Sequence, residues 1–128
     1  VLSRYDDQTK QLKKLFGRKI KLCSKPVNGK EFLENIDCFV GSGGTMTAES
    51  GLLGIPTISL NAVPNRIEEF LVKKKIIVRS ENPNNITKEI FQSLNNVQII
   101  RKRKENAKRV LASFEDPYQV LLKTIKSL

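Results

Sequence analysis

Gly41-Ser42-Gly43-Gly44-Thr45-Met46-Thr47-Ala48-Glu49-Ser50-Gly51-Leu52-Leu53-Gly54-Ile55-Pro56 is the stretch that decides the fold. It follows a short apolar run, Cys38-Phe39-Val40, and leads into another, Thr57-Ile58-Ser59-Leu60. Glycines at the front permit positive φ and close approach of a ligand to backbone amides. Thr45 opens a helical segment over residues 45–53, and Gly54 followed by Pro56 closes it in the order expected of a helix C-terminus. The stretch therefore reads as strand, glycine turn, helix, stop, strand.

The same alternation extends in both directions. Candidate strands cover residues 1–3, 19–23, 38–41, 57–60 and 76–78, separated by helical patterns over 7–16, 29–36, 45–53 and 65–74. After the fifth strand only helices are expected, over 85–94, 97–114 and 117–128, the last opened by Asp116 as N-cap with Pro117 at the first helical position. Strands alternating with helices predict an α/β fold. The expectation is a Rossmann-like three-layer α/β/α arrangement, with a mainly parallel sheet of about five strands and a helical C-terminus. Continuously apolar strands such as Ile76-Ile77-Val78 suit a sheet covered on both faces. Neither an internal repeat nor a linker interrupts the chain, so residues 1–128 are read as one domain. In this class ligands sit beyond the carboxyl ends of the strands.

The 128 residues carry 23 Lys+Arg against 13 Asp+Glu, a net charge of +10, and no histidine. Without histidine, the commonest neutral-pH base and the commonest zinc ligand are both missing, and no metal site is expected. Cys23 and Cys38 sit in apolar runs and are read as reduced core thiols. No apolar stretch approaches the ~20 residues of a membrane span, which predicts a cytoplasmic protein. The opening Val1-Leu2-Ser3-Arg4 reads as the end of a strand without an initiator Met, so the chain is expected to be part of a longer protein.

Charge is uneven. Residues 1–64 hold 9 basic and 6 acidic side chains, net +3, and residues 65–128 hold 14 and 7, net +7. The densest run is Arg101-Lys102-Arg103-Lys104, with Lys108 and Arg109 beyond it. Val97, Ile100, Ala107, Val110, Leu111 and Phe114 recur near helical spacing, so the run reads mainly as the solvated face of an amphipathic helix. No stacking aromatics are interleaved, and nucleic acid is not expected as the main partner.

The glycine turn carries the chemistry. The first amides of the following helix have no internal partners, and the helix dipole adds about half a positive charge there, which makes an anion site from backbone alone. Ser42, Thr45 and Thr47 are further hydroxyl donors. A Walker-type site is excluded by the lack of G-x-x-x-x-G-K-[ST]. A dinucleotide site is disfavoured by Met46 in the place of the third glycine and by Asn61 near the place of the ribose-binding acid. Glu49, four residues after Thr45, can point to the ligand side and accept two hydrogen bonds from a vicinal diol.

The segment Ser42 to Glu49, with Gly51-Leu52-Leu53-Gly54-Ile55-Pro56 behind it, resembles the donor-site motif of GT-B-fold glycosyltransferases. It is similar to the bacterial peptidoglycan N-acetylglucosaminyltransferase and to UDP-N-acetylglucosamine 2-epimerase, and the seven-residue spacing of Ser42 and Glu49 matches the transferase. Ser3-Arg4-Tyr5 with Gln8, Gly43-Gly44-Thr45-Met46, Leu53-Gly54-Ile55-Pro56 and Glu115-Asp116-Pro117 also resemble an uncharacterised, mainly archaeal GT-B-like family. The resemblance implies that Ser42, Gly43, Gly44, Thr45 and Met46 hold the diphosphate of a UDP-sugar and Glu49 its ribose. Pro26 and Val27 fall where transferases contact the base. Asn61 to Arg66 offer no match for the residues that contact the donor sugar.

The resemblance further implies the C-terminal, nucleotide-binding half of a two-domain enzyme, with an N-terminal domain as its partner and no cofactor. Catalytic residues are unassigned in this half, and an isolated fragment is not expected to be active. The expected function is binding of the nucleotide diphosphate as the donor half of a glycosyltransferase. A nucleotide-sugar epimerase half competes closely. A noncatalytic nucleic-acid-binding module using the basic C-terminal helices is the reading from another class, and a ligand-free structural remnant is the last.

Overall fold

The computed structural model describes residues 1–3, 5–23, 25–60 and 62–128. Arg4 and Asn61, which enter the sequence reading, lie outside the described residues. The chain divides into two units, Val1–Phe32 and Leu33–Leu128.

In the first unit, helix α1 (Asp6–Phe16) opens with two acidic residues and closes with Lys13 and Lys14, the distribution the helix dipole favours. Gly17 ends it at φ 54, and a 3-10 turn, Gly17–Lys19, follows. Leu2 and Cys23 form an isolated parallel bridge, in which Cys23 N donates to Val1 O and Ser3 N to Cys23 O. Leu15 and Phe16 of α1 are exposed, and no residue of this helix is fully buried. Helix α2 (Gly29–Glu34) crosses into the second unit and supplies the fully buried Leu33.

The second unit holds a parallel sheet of three strands in the order β1 (Phe39–Gly41), β2 (Thr57–Ser59), β3 (Val78–Arg79). In register, Gly41 faces Ser59 and Ser59 faces Arg79, so the carboxyl ends of all three strands are level. Among the described residues the sheet thus has three strands where about five were expected. Among the described residues, 1–3 and 21–23 pair through one bridge, and the 3-10 turn takes Lys19 of the expected second strand. Burial also differs from expectation along the sheet. The central β2 is buried at every residue, whereas Val40 on edge strand β1 is 41% exposed.

Helix α3 (Thr45–Leu52) packs on β1 and β2 and against α4 (Arg66–Lys73) and α6 (Val97–Ala112). Its small residues explain how close it comes. A Cβ on Gly51 would lie 2.5 Å from Ile77 Cγ2 and 2.9 Å from Ile76 Cγ2. Ser50 is fully buried and donates to Thr47 O at 3.0 Å. Thr57 Oγ1 lies 2.9 Å from Ser50 Oγ and 2.8 Å from Ile55 O, sharing its proton between them. The apolar core gathers Leu71, Ile76, Ile77, Ala107 and Val110, with Ala48 and Leu52 against it.

The remaining helices are α5 (Pro83–Asn95) and α7 (Pro117–Lys126). Asparagine or aspartate caps five of the described helices through side-chain oxygens: Asn28 for α2, Asn65 for α4, Asn82 for α5, Asn96 for α6 and Asp116 for α7. On α6 the stripe expected from the sequence is only partly right. Ala107 and Val110 are buried, but Val97 is 77% exposed and Leu111 and Phe114 are also outside. The inward face includes Arg103, which donates to Glu89 Oε2 at 3.1 Å and Ser93 Oγ at 2.8 Å, a side chain that the apolar pattern assigns to solvent.

Candidate functional site

The loops after β1 and β2 leave the same carboxyl edge of the sheet and enter α3 and α4. Gly43 and Gly44 take φ of 89 and 84, in the left-handed region that a side chain would strain. A Cβ on Gly44 would meet nothing within 4 Å, so its requirement is one of backbone conformation and not of space. Gly44 is the N-cap of α3 and, as a glycine, supplies no side-chain cap, and the first-turn amides have no intrahelical partner. The turn is braced from inside by Thr47 Oγ1, which donates to Gly43 O at 3.0 Å.

A pocket of about 280 Å³ lies between the two helix starts. Gly43, Gly44, Thr45, Thr47, Ala48, Glu49 and Leu52 line one side, and Asn65, Ile67, Glu68 and Leu71 the other, with Ile77 also lining it. Thr45, Ala48, Glu49 and Leu52 recur at three- and four-residue intervals, one face of α3. Of the residues expected to meet the diphosphate, Gly43, Gly44 and Thr45 therefore join Glu49 at one pocket. Ser42 is exposed and Met46 half-buried, and neither lines it. Thr47 is corrected as a ligand donor, because it is 2% exposed and its proton is used by Gly43 O. Pro26 and Val27 are exposed residues of the first unit, in the segment ahead of α2.

The sequence reading missed the α4 side of the pocket. Asn65 Oδ1 accepts from Glu68 N at 2.9 Å, half of a capping box, which turns the start of α4 toward the loop. Glu68 is 3% exposed although it is a carboxylate, and it lines the pocket. The signal was present in the Asn-x-x-Glu spacing of Asn65-Arg66-Ile67-Glu68, a sign of a helix start but not of what that start faces.

Cys38 precedes β1 and is half-buried and free, as is Cys23. Burial pushes the Cys38 thiol above its ordinary value, Arg103 opposes this by favouring the thiolate, and Asp37 adds to the rise. That describes a protonated thiol beside the core and not an activated nucleophile. Among the described residues no group of three or more His, Cys, Asp or Glu is placed to hold a metal, and no helix is long and apolar enough to cross a membrane.

Residues 1–128 match the family described as Protein of unknown function (DUF354). The chain belongs to DUF354. No curated protein and no solved structure matches it. The DUF354 match covers both units of the chain and therefore includes the glycine turn, Glu49 and the α4 start. The expected likeness to an uncharacterised family holds at that level.

Proposed function

We propose that this DUF354 chain binds the diphosphate of a nucleotide-sugar, with a UDP-sugar favoured, as the donor half of a GT-B-like glycosyltransferase. One observation carries the reading: a helix start that follows two positive-φ glycines, with glycine as its N-cap, opens on the same pocket as Glu49. Backbone amides at a helix N-terminus suit phosphate oxygens and supply the electrostatic stabilisation that a departing diphosphate needs. Glu49 is exposed and therefore available to a ribose diol. The base that activates an acceptor would come from a domain outside this chain.

A specific observation also favours the epimerase reading. Buried Glu68 places a second carboxylate in the same pocket, where acid–base work at a sugar carbon requires one.

Titration calorimetry of UDP and UDP-sugars against the chain tests the proposal. Glu49→Ala removes charged hydrogen bonds worth about 1.5–3 kcal/mol, which corresponds to weakening by about 10- to 100-fold. Gly44→Ala, which adds strain without a clash, weakens binding while the fold persists by circular dichroism. A folded chain that binds no UDP at millimolar concentration refutes the reading.

A further inference from the structure

The run Arg101-Lys102-Arg103-Lys104 does not form one patch in space. Arg101 pairs outward with Glu105 at 3.0 Å, Arg103 turns inward to Glu89, and a Cβ on Gly54 would lie 2.9 Å from the Lys104 Cα. Only Lys102 and Arg103 of the four line the groove along edge strand β3. There they join Lys73, Lys74 and Lys75 from the end of α4, Arg79 from β3 and Arg109 from α6. The groove has a volume of about 760 Å³, and neither a carboxylate nor an aromatic ring lines it.

Some of this charge is already engaged. Arg79 pairs with Glu81, Arg103 with Glu89, and Lys74 Nζ sits 5.7 Å over the Phe70 ring. The side-chain cations of Lys73, Lys75, Lys102 and Arg109 are exposed and make no ion pair or hydrogen bond among the described residues. Lys102 and Arg109 stand seven residues apart on α6, about 10 Å along its axis.

The turn at Lys75 gives an independent indication. Ile76 N donates to Leu71 O and Lys75 N to Val72 O, both at 2.9 Å, the two bonds of a Schellman motif. Its left-handed position is normally glycine, but here it is Lys75 at φ 56, the only non-glycine residue with positive φ among those described. Asn106 Nδ2 on α6 holds the turn across the groove, donating to Lys74 O at 2.7 Å. An unfavourable backbone state is thus kept at a residue whose side chain lines the groove.

We propose that this groove binds the phosphodiester backbone of a single-stranded nucleic acid without regard to sequence. Charge complementarity selects a polyanion. A concave recess accepts a narrow chain more readily than a flat bilayer surface does, and competition by duplex of equal charge distinguishes the single strand. The lack of aromatic rings, which from the sequence speaks against a stacking single-strand binder, leaves contacts to phosphates alone, so affinity depends steeply on salt.

Fluorescence anisotropy of a labelled oligo(dT) with the full chain, over a salt series, tests this. Four unengaged cations give a log K against log salt slope of about −3 for a single strand, a loss of about 50-fold between 50 and 200 mM. Lys102→Glu with Arg109→Glu lowers affinity at least about tenfold and flattens the slope by about 1.4. Lys75→Gly lowers affinity by about threefold while the melting temperature holds or rises, which separates lost charge from lost fold. Absence of binding at 50 mM salt overturns the proposal, as does binding that ignores these substitutions. Equal competition by poly-glutamate, or by vesicles containing phosphatidylserine at matched charge, overturns it as well.

Discussion

The pocket at the glycine turn and the groove along β3 are both proposed to bind anions, yet they are built in opposite ways. The pocket is lined by no Lys or Arg and by two carboxylates, Glu49 and Glu68, so the proposed diphosphate would be held by backbone amides at a helix start and not by side-chain charge. The groove is lined by seven Lys or Arg side chains and no carboxylate. Backbone amides are fixed in place and suit a small ligand of defined geometry. Flexible surface cations suit a long ligand whose charge matters more than its shape, and salt screens them. The two proposals thus separate recognition by geometry from recognition by charge.

The two regions share a mechanical base, because Ile77 lines both. Gly51→Val drives a side chain into Ile76 and Ile77, and the expected loss of stability is about 3 kcal/mol in urea unfolding. Both binding activities should fall together with it. If only UDP binding fell, the two regions would be less coupled than the packing indicates.

A crossed experiment separates them more finely. Glu49→Ala should weaken UDP by about 10- to 100-fold and leave oligo(dT) unchanged. The Lys102→Glu, Arg109→Glu variant should do the reverse. Between 50 and 200 mM salt, UDP affinity of the native chain should change by less than about threefold against about 50-fold for oligo(dT). Equal salt slopes would mean that the pocket, too, works by screened charge.

Lys75→Gly relieves one left-handed side chain and should stabilise the chain by about 1 kcal/mol in urea unfolding. A destabilised variant would show that the Lys75 side chain supports the fold and not the groove.

The smallest effect concerns Cys38, which lies in neither region. Its thiol is raised above the ordinary value, so at high pH the unfolded chain loses this proton first and binds fewer protons than the folded chain. Stability should therefore fall slightly as pH rises through the ordinary thiol range. Cys38→Ala should remove that part of the slope in urea midpoints taken between pH 7 and 10.

Local chemistry was legible along the chain. The glycine turn, the start of α3 at Thr45, the stop at Gly54 and Pro56, and the Asp116-Pro117 opening of α7 are all found as read. Less legible was which apolar residues would be covered. Val97 and Leu111 fit the helical period as well as Val110 does, yet only Val110 is buried. Strand number was overread because a short apolar run carries no information on whether a neighbour will pair with more than one of its residues.

The sequence by itself therefore determined what depends on neighbours three or four residues away: turns, caps, helix starts and the backbone amides they leave exposed. Tertiary structure alone decided what depends on distant segments. It set Glu68 opposite Glu49, turned Arg103 inward to Glu89, and carried Lys73, Lys74 and Lys75 beside Lys102 and Arg109. Hydrogen bonds of a turn close within a few residues and so are written locally. Burial and electrostatic neighbourhood are set by which surfaces meet, and no local spacing encodes that.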